Sequence, residues 1–241
     1  MGSQIKKDAK PMAETPPPTV AAMVHHCCDL LRARLDATQN QSGLLVGCGN
    51  GDEVVYIRQV LNFERVFGVD VEGTFSPAAR AGGCVLLGDA QRLPFPSEAF
   101  HFAAAFHSLE HVADPNPALD EICRVLRPGA WLYAGVPNRS RLIAYLGAFN
   151  ATTWQKVSGN LRDWGARLRG NFRNECGAHA GFDRGEFRRL MEKRFSSVQF
   201  LTEEFLRYKY AGTIPRKILD VLLAPSMIDY AAPAHYVLCQ K

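Results

Sequence analysis

Three glycines separated by single residues, Gly47, Gly49 and Gly51, are followed by two isolated carboxylates, Asp70 and Asp89. A segment rich in titratable groups comes next, Phe106-His107-Ser108-Leu109-Glu110-His111-Val112. Glycines at this spacing permit a tight turn and let backbone N–H groups approach a ligand closely, with a helix N-terminus behind them. The run is not the dinucleotide fingerprint Gly-x-Gly-x-x-Gly, because its last position would be Asp52, whose carboxylate would repel a pyrophosphate. A ligand without phosphates suits the loop better. Asp70 stands about 20 residues further on, where a carboxylate accepts two hydrogen bonds from a ribose diol. Taken singly, Asp70 also reads as a strand-end acid or helix cap, and Gly88-Asp89 as a plain turn.

The elements around these residues decide between the readings. Ser42 to Val46 reads as a short apolar strand entering the glycine turn, and Asp52 to Leu61 as a helix with Val54, Val55, Ile57 and Val60 on its apolar face. Arg65 to Val71, Cys84 to Leu87, Phe100 to Phe106 and Trp131 to Val136 read as four more strands. A helix is expected from about Val20 to Ala37, and another from Pro117 to Leu126 that Arg127-Pro128-Gly129 stops. Asp183 and Glu186 form a capping box for a later helix, and Ser197 to Thr202 and His235 to Gln240 are the last strands. Alternation at this spacing means a parallel sheet with right-handed crossovers, whose ligands bind outside the carboxyl ends of the strands. The glycine loop, Asp70 and Asp89 then fall at the ends of three consecutive strands, and one shared ligand joins them.

With 241 residues the chain has room for one α/β domain and some elaboration. Hydrophobic residues at 47% and charged residues at 22% place it among ordinary globular proteins, and a net charge of +4 is too mild to imply nucleic acid. None of its seven cysteines forms Cys-x-x-Cys, so they read as reduced core thiols of a cytoplasmic protein, not a disulfide frame or zinc site. Neighbours in His25-His26-Cys27-Cys28 point in different directions on a helix, so at most two share an ion, and no metal site is expected. No apolar stretch is long enough to span a membrane, and the start lacks the apolar core of a signal peptide. Residues 1–19, with Pro16-Pro17-Pro18, read as a flexible arm. Residues 20–241 read as one domain with insertions at about 139–182 and 205–232.

The chain resembles the class I S-adenosylmethionine-dependent methyltransferases, especially those acting on small molecules and on quinone or lipid precursors. The resemblance runs from about Leu44 to Asn138 and resumes more loosely from His179. Gly47-Cys48-Gly49-Asn50-Gly51 is similar to the family's glycine loop, which cradles the methionyl end of the cofactor. Asp70 matches the acid that holds the ribose hydroxyls, and Gly88-Asp89-Ala90 the segment whose acid meets the adenine amino group. The segment from Phe106 to Val112 is similar to the one lining the methyl-transfer space, and Arg124-Val125-Leu126-Arg127-Pro128-Gly129 with Leu132 is a further match. Where the family pattern has an acid two residues before the first glycine this chain has Leu45, and where the fourth strand has an Asp it has His101.

That resemblance implies a Rossmann-like seven-stranded sheet of order 3-2-1-4-5-7-6, its last strand antiparallel, with helices on both faces and a helical cap. It implies S-adenosyl-L-methionine as cofactor and S-adenosyl-L-homocysteine as product. The cofactor contacts implied are Gly47, Cys48, Gly49, Gly51, Asp70, Val71, Asp89, Ala90, His107 and Leu109. A sulfonium carries an activated methyl group, so a base is needed only when the acceptor must lose a proton, and no metal is required. His107 and His111 are candidates for such a role, with His179 of Gly177-Ala178-His179-Ala180-Gly181-Phe182 on the acceptor side. The segment after the fourth strand has no Asn-Pro-Pro-Tyr-like run, which by resemblance argues against amino-methylation of DNA bases or glutamine.

Between Arg139 and Arg173 seven basic residues face Asp163 alone, and Trp154, Val157, Leu161, Trp164 and Leu168 recur at helical spacing. The plain reading is a cap helix that packs this apolar side on the sheet domain and turns a basic face to solvent. A sharper one is that the cap recognises an anionic or membrane-held acceptor, with Tyr208, Tyr210, Ile214, Ile218, Leu219, Leu222 and Leu223 lining an apolar pocket beside it. The function expected is methyl transfer to a small-molecule or lipid-like acceptor, O-methylation favoured, in the cytoplasm with possible peripheral membrane contact. Two alternatives stand beside it: an RNA methyltransferase, with nucleic acid otherwise an unfavoured partner, and a non-catalytic cofactor-binding scaffold.

Overall fold

The computed structural model describes residues 22–35, 40–144, 152–174 and 180–241. The expected N-terminal arm and His179 lie outside them. Strands β1 (Ser42–Val46), β2 (Arg65–Asp70), β3 (Val85–Leu87), β4 (Phe100–Phe106), β5 (Leu126–Pro137), β6 (Ser197–Phe200) and β7 (Ala234–Gln240) form one sheet of order β3-β2-β1-β4-β5-β7-β6. The first five strands pair in parallel, and β7 runs antiparallel between β5 and β6. The order is the one the resemblance implied.

The strands are apolar on both sides because both faces are covered. Successive residues of β1 and β4 alternate between two cores. Leu45, Phe102, Ala104 and Phe106 pack with α1 (Ala22–Arg32), α2 (Asp52–Leu61), α7 (Thr202–Tyr210) and α8 (Arg216–Leu222). Leu44, Val46, Ala103 and Ala105 pack with α4 (Pro115–Val125) and α6 (Arg184–Glu192). Gly43 leaves room for the Phe102 ring, since a Cβ there would lie 2.1 Å from it. The remaining helices are α3 (Pro77–Ala81), α5 (Thr153–Leu168) and α9 (Ile228–Ala231). None of the described helices is long and apolar enough to cross a membrane. The six described cysteines are free thiols.

Several boundaries differ from the sequence expectation. Helix α1 ends at Arg32, short of Ala37, with a turn over Ala33–Arg34. Helix α4 begins at Pro115, capped by Asp114, and passes directly into β5 at Leu126, so Arg127-Pro128-Gly129 lies inside a strand and does not act as a helix stop. Asp183 accepts from the Glu186 N–H at 2.8 Å, but the Glu186 carboxylate does not close a capping box and pairs with Arg139 at 2.9 Å.

The largest difference is the orientation of α5. Its expected packing face is exposed: Trp154, Leu161 and Leu168 are 74%, 64% and 87% accessible, and Val157 and Trp164 are also exposed. Its buried side carries Gly159 and Asp163. The reason lies in what α5 packs against. Residues 139–144 are irregular backbone, whose polar groups need partners. Asn160 bonds the Ala144 N–H and carbonyl, Arg167 donates to the Arg139 and Arg141 carbonyls, and Trp164 donates to the Leu142 carbonyl at 3.1 Å. Arg141 is buried against Asp163 at 2.9 Å, and Arg139 is spent on Glu186, so the basic residues do not form one solvated face.

Candidate active site

The turn after β1 holds three residues in left-handed backbone, Gly47 (φ 72°), Gly49 (φ 53°) and Gly51 (φ 82°), a conformation in which glycine has no Cβ penalty. Each has a different neighbour. A Cβ on Gly47 would lie 2.2 Å from that of Ser108, and one on Gly51 would meet Ala79 and Val85 at 2.7 Å. At Gly49 it would meet nothing within 4 Å, so that stretch of backbone borders open space. The loop is tied to the next strand: the Gly49 N–H donates to Asp70 Oδ2 at 2.7 Å, while the Glu72 N–H donates to Oδ1 at 2.9 Å. Each carboxylate oxygen keeps a further lone pair for a ligand. At the end of β3, Asp89 Oδ1 accepts from the Gln91 N–H at 2.9 Å, which fixes the acid without saturating it.

A cleft of about 620 Å³ opens at these strand ends. It brings together Gly47, Gly49, Asp70, Val71, Asp89, Ala90, His107, Leu109 and His111. Two residues of the implied cofactor set do not line it. Cys48 turns inward, its sulfur against the space Gly68 leaves open, and burial pushes its thiol up to about 12. Gly51 is the N-cap of α2. Ser108 and Val112 of the segment after β4 also line the cleft, whereas sequence reasoning missed Glu72, Gln91 and Ala113, which join it because loops after β2, β3 and β4 converge there. Val71 is 67% exposed, an apolar side chain held at the surface beside Asp70. The acids Asp70, Glu72 and Asp89 line the cleft, and among the described residues no lysine or arginine does. Such a site favours a neutral or cationic ligand rich in hydroxyl and amino donors.

His107 occupies the end of β4 with a left-handed backbone (φ 51°), its N–H on the Gly135 carbonyl at 2.9 Å. Its Nδ1 lies 3.7 Å from the Glu110 carboxylate, which is buried and has one oxygen without a hydrogen-bond partner among the described residues. The Tyr236 ring stands edge-on to the imidazole, with centroids 6.1 Å apart. Glu53, in the first turn of α2, is held above the usual carboxylate range by burial, with His107 pulling it back. Ser108 donates to the Val46 carbonyl at 2.8 Å, joining this segment to β1.

The two departures from the family pattern fall away from the cleft. His101 sits at the start of β4, the opposite end from the site, and its Nδ1 accepts from the Ser42 N–H at 3.0 Å. Leu45 is fully buried in the core. His25 and His26 pair with the hydroxyls of Tyr56 (2.9 Å) and Tyr133 (3.2 Å).

Residues 44–134 match the family profile described as a methyltransferase domain. The chain is 31% identical over 169 residues to the O-methyltransferase resE of Aspergillus sclerotiorum, covering 60% of this chain and 64% of that protein. It is 34% identical over 121 residues to the O-methyltransferase rstn1 of Aspergillus nomiae, covering 44% and 53%. The chain therefore spans less than two thirds of the length of either relative. In fold it is similar to a SAM-dependent methyltransferase, a possible histamine N-methyltransferase, of Thermotoga maritima, with a TM-score of 0.52, 20% identity, and 90% and 89% of the two chains covered. Sheet order and glycine loop agree with these matches: residues 44–134 form a methyltransferase domain, and the fold is that of SAM-dependent methyltransferases.

Proposed function

We propose that this protein methylates a hydroxyl group of a small, partly apolar acceptor, with S-adenosyl-L-methionine as donor. The observation that carries the reading is the cleft itself, lined by acids without a lysine or arginine and bordered by an open glycine backbone. Its volume lies in the usual range for small-molecule sites. The cofactor fits these residues: its ribose diol has Asp70 as acceptor, its adenine has Asp89 and the exposed Val71, and its cationic sulfonium end has an anionic, phosphate-free surround. When bound, it supplies an activated methyl group that needs no metal to leave the sulfur.

The chain's own contribution is alignment and proton removal. With the cofactor held by the glycine loop, Asp70 and Asp89, and its methyl group supplied to the acceptor oxygen, His107 would take the hydroxyl proton. Glu110 acts through His107 as a positioning residue that holds the ring and stabilises its charged form. The Tyr236 ring beside His107, itself packed on Phe205 (centroids 4.1 Å apart), gives the acceptor side of the imidazole an apolar wall. The names of the relatives favour oxygen as the atom methylated. The free cysteines fit a reducing cytoplasm.

Calorimetry with S-adenosyl-L-homocysteine, followed by transfer of a labelled methyl group to a panel of phenols and hydroxyquinones, tests the reading. Binding with turnover of a hydroxyl acceptor supports it. Absence of binding would make the domain a scaffold, and transfer to amines alone would overturn the hydroxyl assignment.

A further inference from the structure

We propose that the outward face of α5, continued through Leu142 to α9, is a docking surface for an anionic lipid bilayer. Helices of globular proteins normally bury their apolar stripe, and large exposed apolar patches mark interaction surfaces. Here the stripe of α5 points outward along its length, with Trp154, Leu161 and Leu168 each more than half exposed. It does not end with the helix. Trp164 Nε1 donates to the Leu142 carbonyl at 3.1 Å, and the Leu142 N–H donates to the Tyr230 carbonyl at 2.8 Å, so Leu142 joins α5 to α9. Leu142 and Tyr230 are about half exposed themselves.

Charge selects the occupant. The one acid of α5, Asp163, is turned inward onto Arg141. The acids of α8 and α9, Asp220 and Asp229, pair with Arg207 and Arg184. Exposed cations on these elements are Arg162 on α5, Arg169 at its C-cap, and Arg216 and Lys217 on α8. Exposed tryptophans, aliphatic side chains and flanking cations without a competing carboxylate complement acyl chains beneath anionic headgroups. A second copy, packed face to face, would bring these cations against their own kind. RNA would find cations and the rings of Trp154, Trp164 and Tyr230, but Leu142, Leu161 and Leu168 on the same face offer bases no stacking surface.

The test is flotation of the intact protein with vesicles of equimolar phosphatidylcholine and phosphatidylglycerol, against vesicles of phosphatidylcholine alone. The expected result is selective binding to the anionic vesicles, weakened by salt and accompanied by a blue shift of tryptophan emission. Leu161→Glu with Leu168→Glu should reduce binding by roughly tenfold or more, with thermal unfolding unchanged because both side chains are exposed. Arg162→Glu with Arg169→Glu should remove the preference for the anionic lipid. No flotation, equal flotation of the leucine variant, or a wild-type dimer that the leucine variant dissociates would overturn the proposal. Binding to single-stranded RNA with no binding to vesicles would overturn it in favour of nucleic acid.

Discussion

The Gly49 N–H donates to Asp70 Oδ2 at 2.7 Å, so the residue assigned to the ribose also fixes the loop assigned to the methionyl end. The two strand ends form one anion-lined wall, and removing the acid disturbs both halves of it. Asp89 has no such tie to the glycine loop; its bonded neighbour is Gln91.

Asp70→Ala should therefore weaken S-adenosyl-L-homocysteine binding by about 100-fold, the loss expected for charge-assisted bonds to the two ribose hydroxyls. Asp89→Ala should cost about tenfold, since it removes acceptors from one amino group. Calorimetry on variants with unchanged far-ultraviolet circular dichroism checks both. An Asp70→Ala protein that binds as the wild type does would remove Asp70 from the site.

Glu110→Gln keeps the size of the side chain and removes its charge beside His107. Its turnover of weakly acidic hydroxyl acceptors should fall by roughly 10-fold to 100-fold, within the range of general-base effects. The deficit should disappear for acidic phenols that are already ionised, because they have no proton left to give. His107→Gln should show the same pattern more strongly. A uniform loss across acceptors of every acidity would show that His107 and Glu110 only shape the cleft.

The sheet and the glycine-loop wall of the cleft were legible because their signals are local. A left-handed turn demands glycine at Gly47, Gly49 and Gly51, and a parallel strand ends where its apolar run ends. The inward turn of the Cys48 side chain was not legible, because alternation inside so short a turn does not show which side chains face the cleft. The orientation of α5 was illegible for a different reason. The spacing of Trp154, Val157, Leu161, Trp164 and Leu168 identifies a helix with one apolar side, but not what that side meets. The answer depends on the irregular backbone of 139–144, which recruits Asn160, Asp163 and Arg167 instead. Glu53 reaches the surroundings of His107 only through the crossover after β1, a relation between distant segments that no spacing reveals.

Arg141 and Asp163 form a buried pair at 2.9 Å that pins α5 to the segment after β5, with Arg141 also donating to the Asn138 carbonyl at 2.9 Å. Arg141→Met should destabilise the fold by about 3–5 kcal/mol, because it takes the guanidinium away from the buried Asp163 carboxylate. Arg141→Met with Asp163→Leu should recover most of that loss. Urea unfolding of the three proteins checks this; a double variant no more stable than Arg141→Met would show that the carboxylate is not the source of the penalty.

His235 sets a pH dependence of stability that is independent of catalysis. It is buried in β7, its Nε2 has no hydrogen-bond partner among the described residues, and burial pushes its imidazole down to about 4, against the pull of Asp229 and Asp183. In the unfolded chain the same group titrates near 6.5. Between these values the unfolded state binds more protons, so stability is fully present above about 6.5 and is lost as pH falls toward about 4. At pH 5 the loss from this residue alone should be about 2 kcal/mol relative to pH 7. His235→Leu, close in volume and without a proton to take up, should show a correspondingly smaller drop between those two pH values in urea unfolding. Burial lowers His25, His26 and His101 in the same direction, so the wild type will retain a residual slope that the variant shares. The difference between the two slopes isolates His235, and identical slopes would mean that its imidazole is hydrated in solution and not buried.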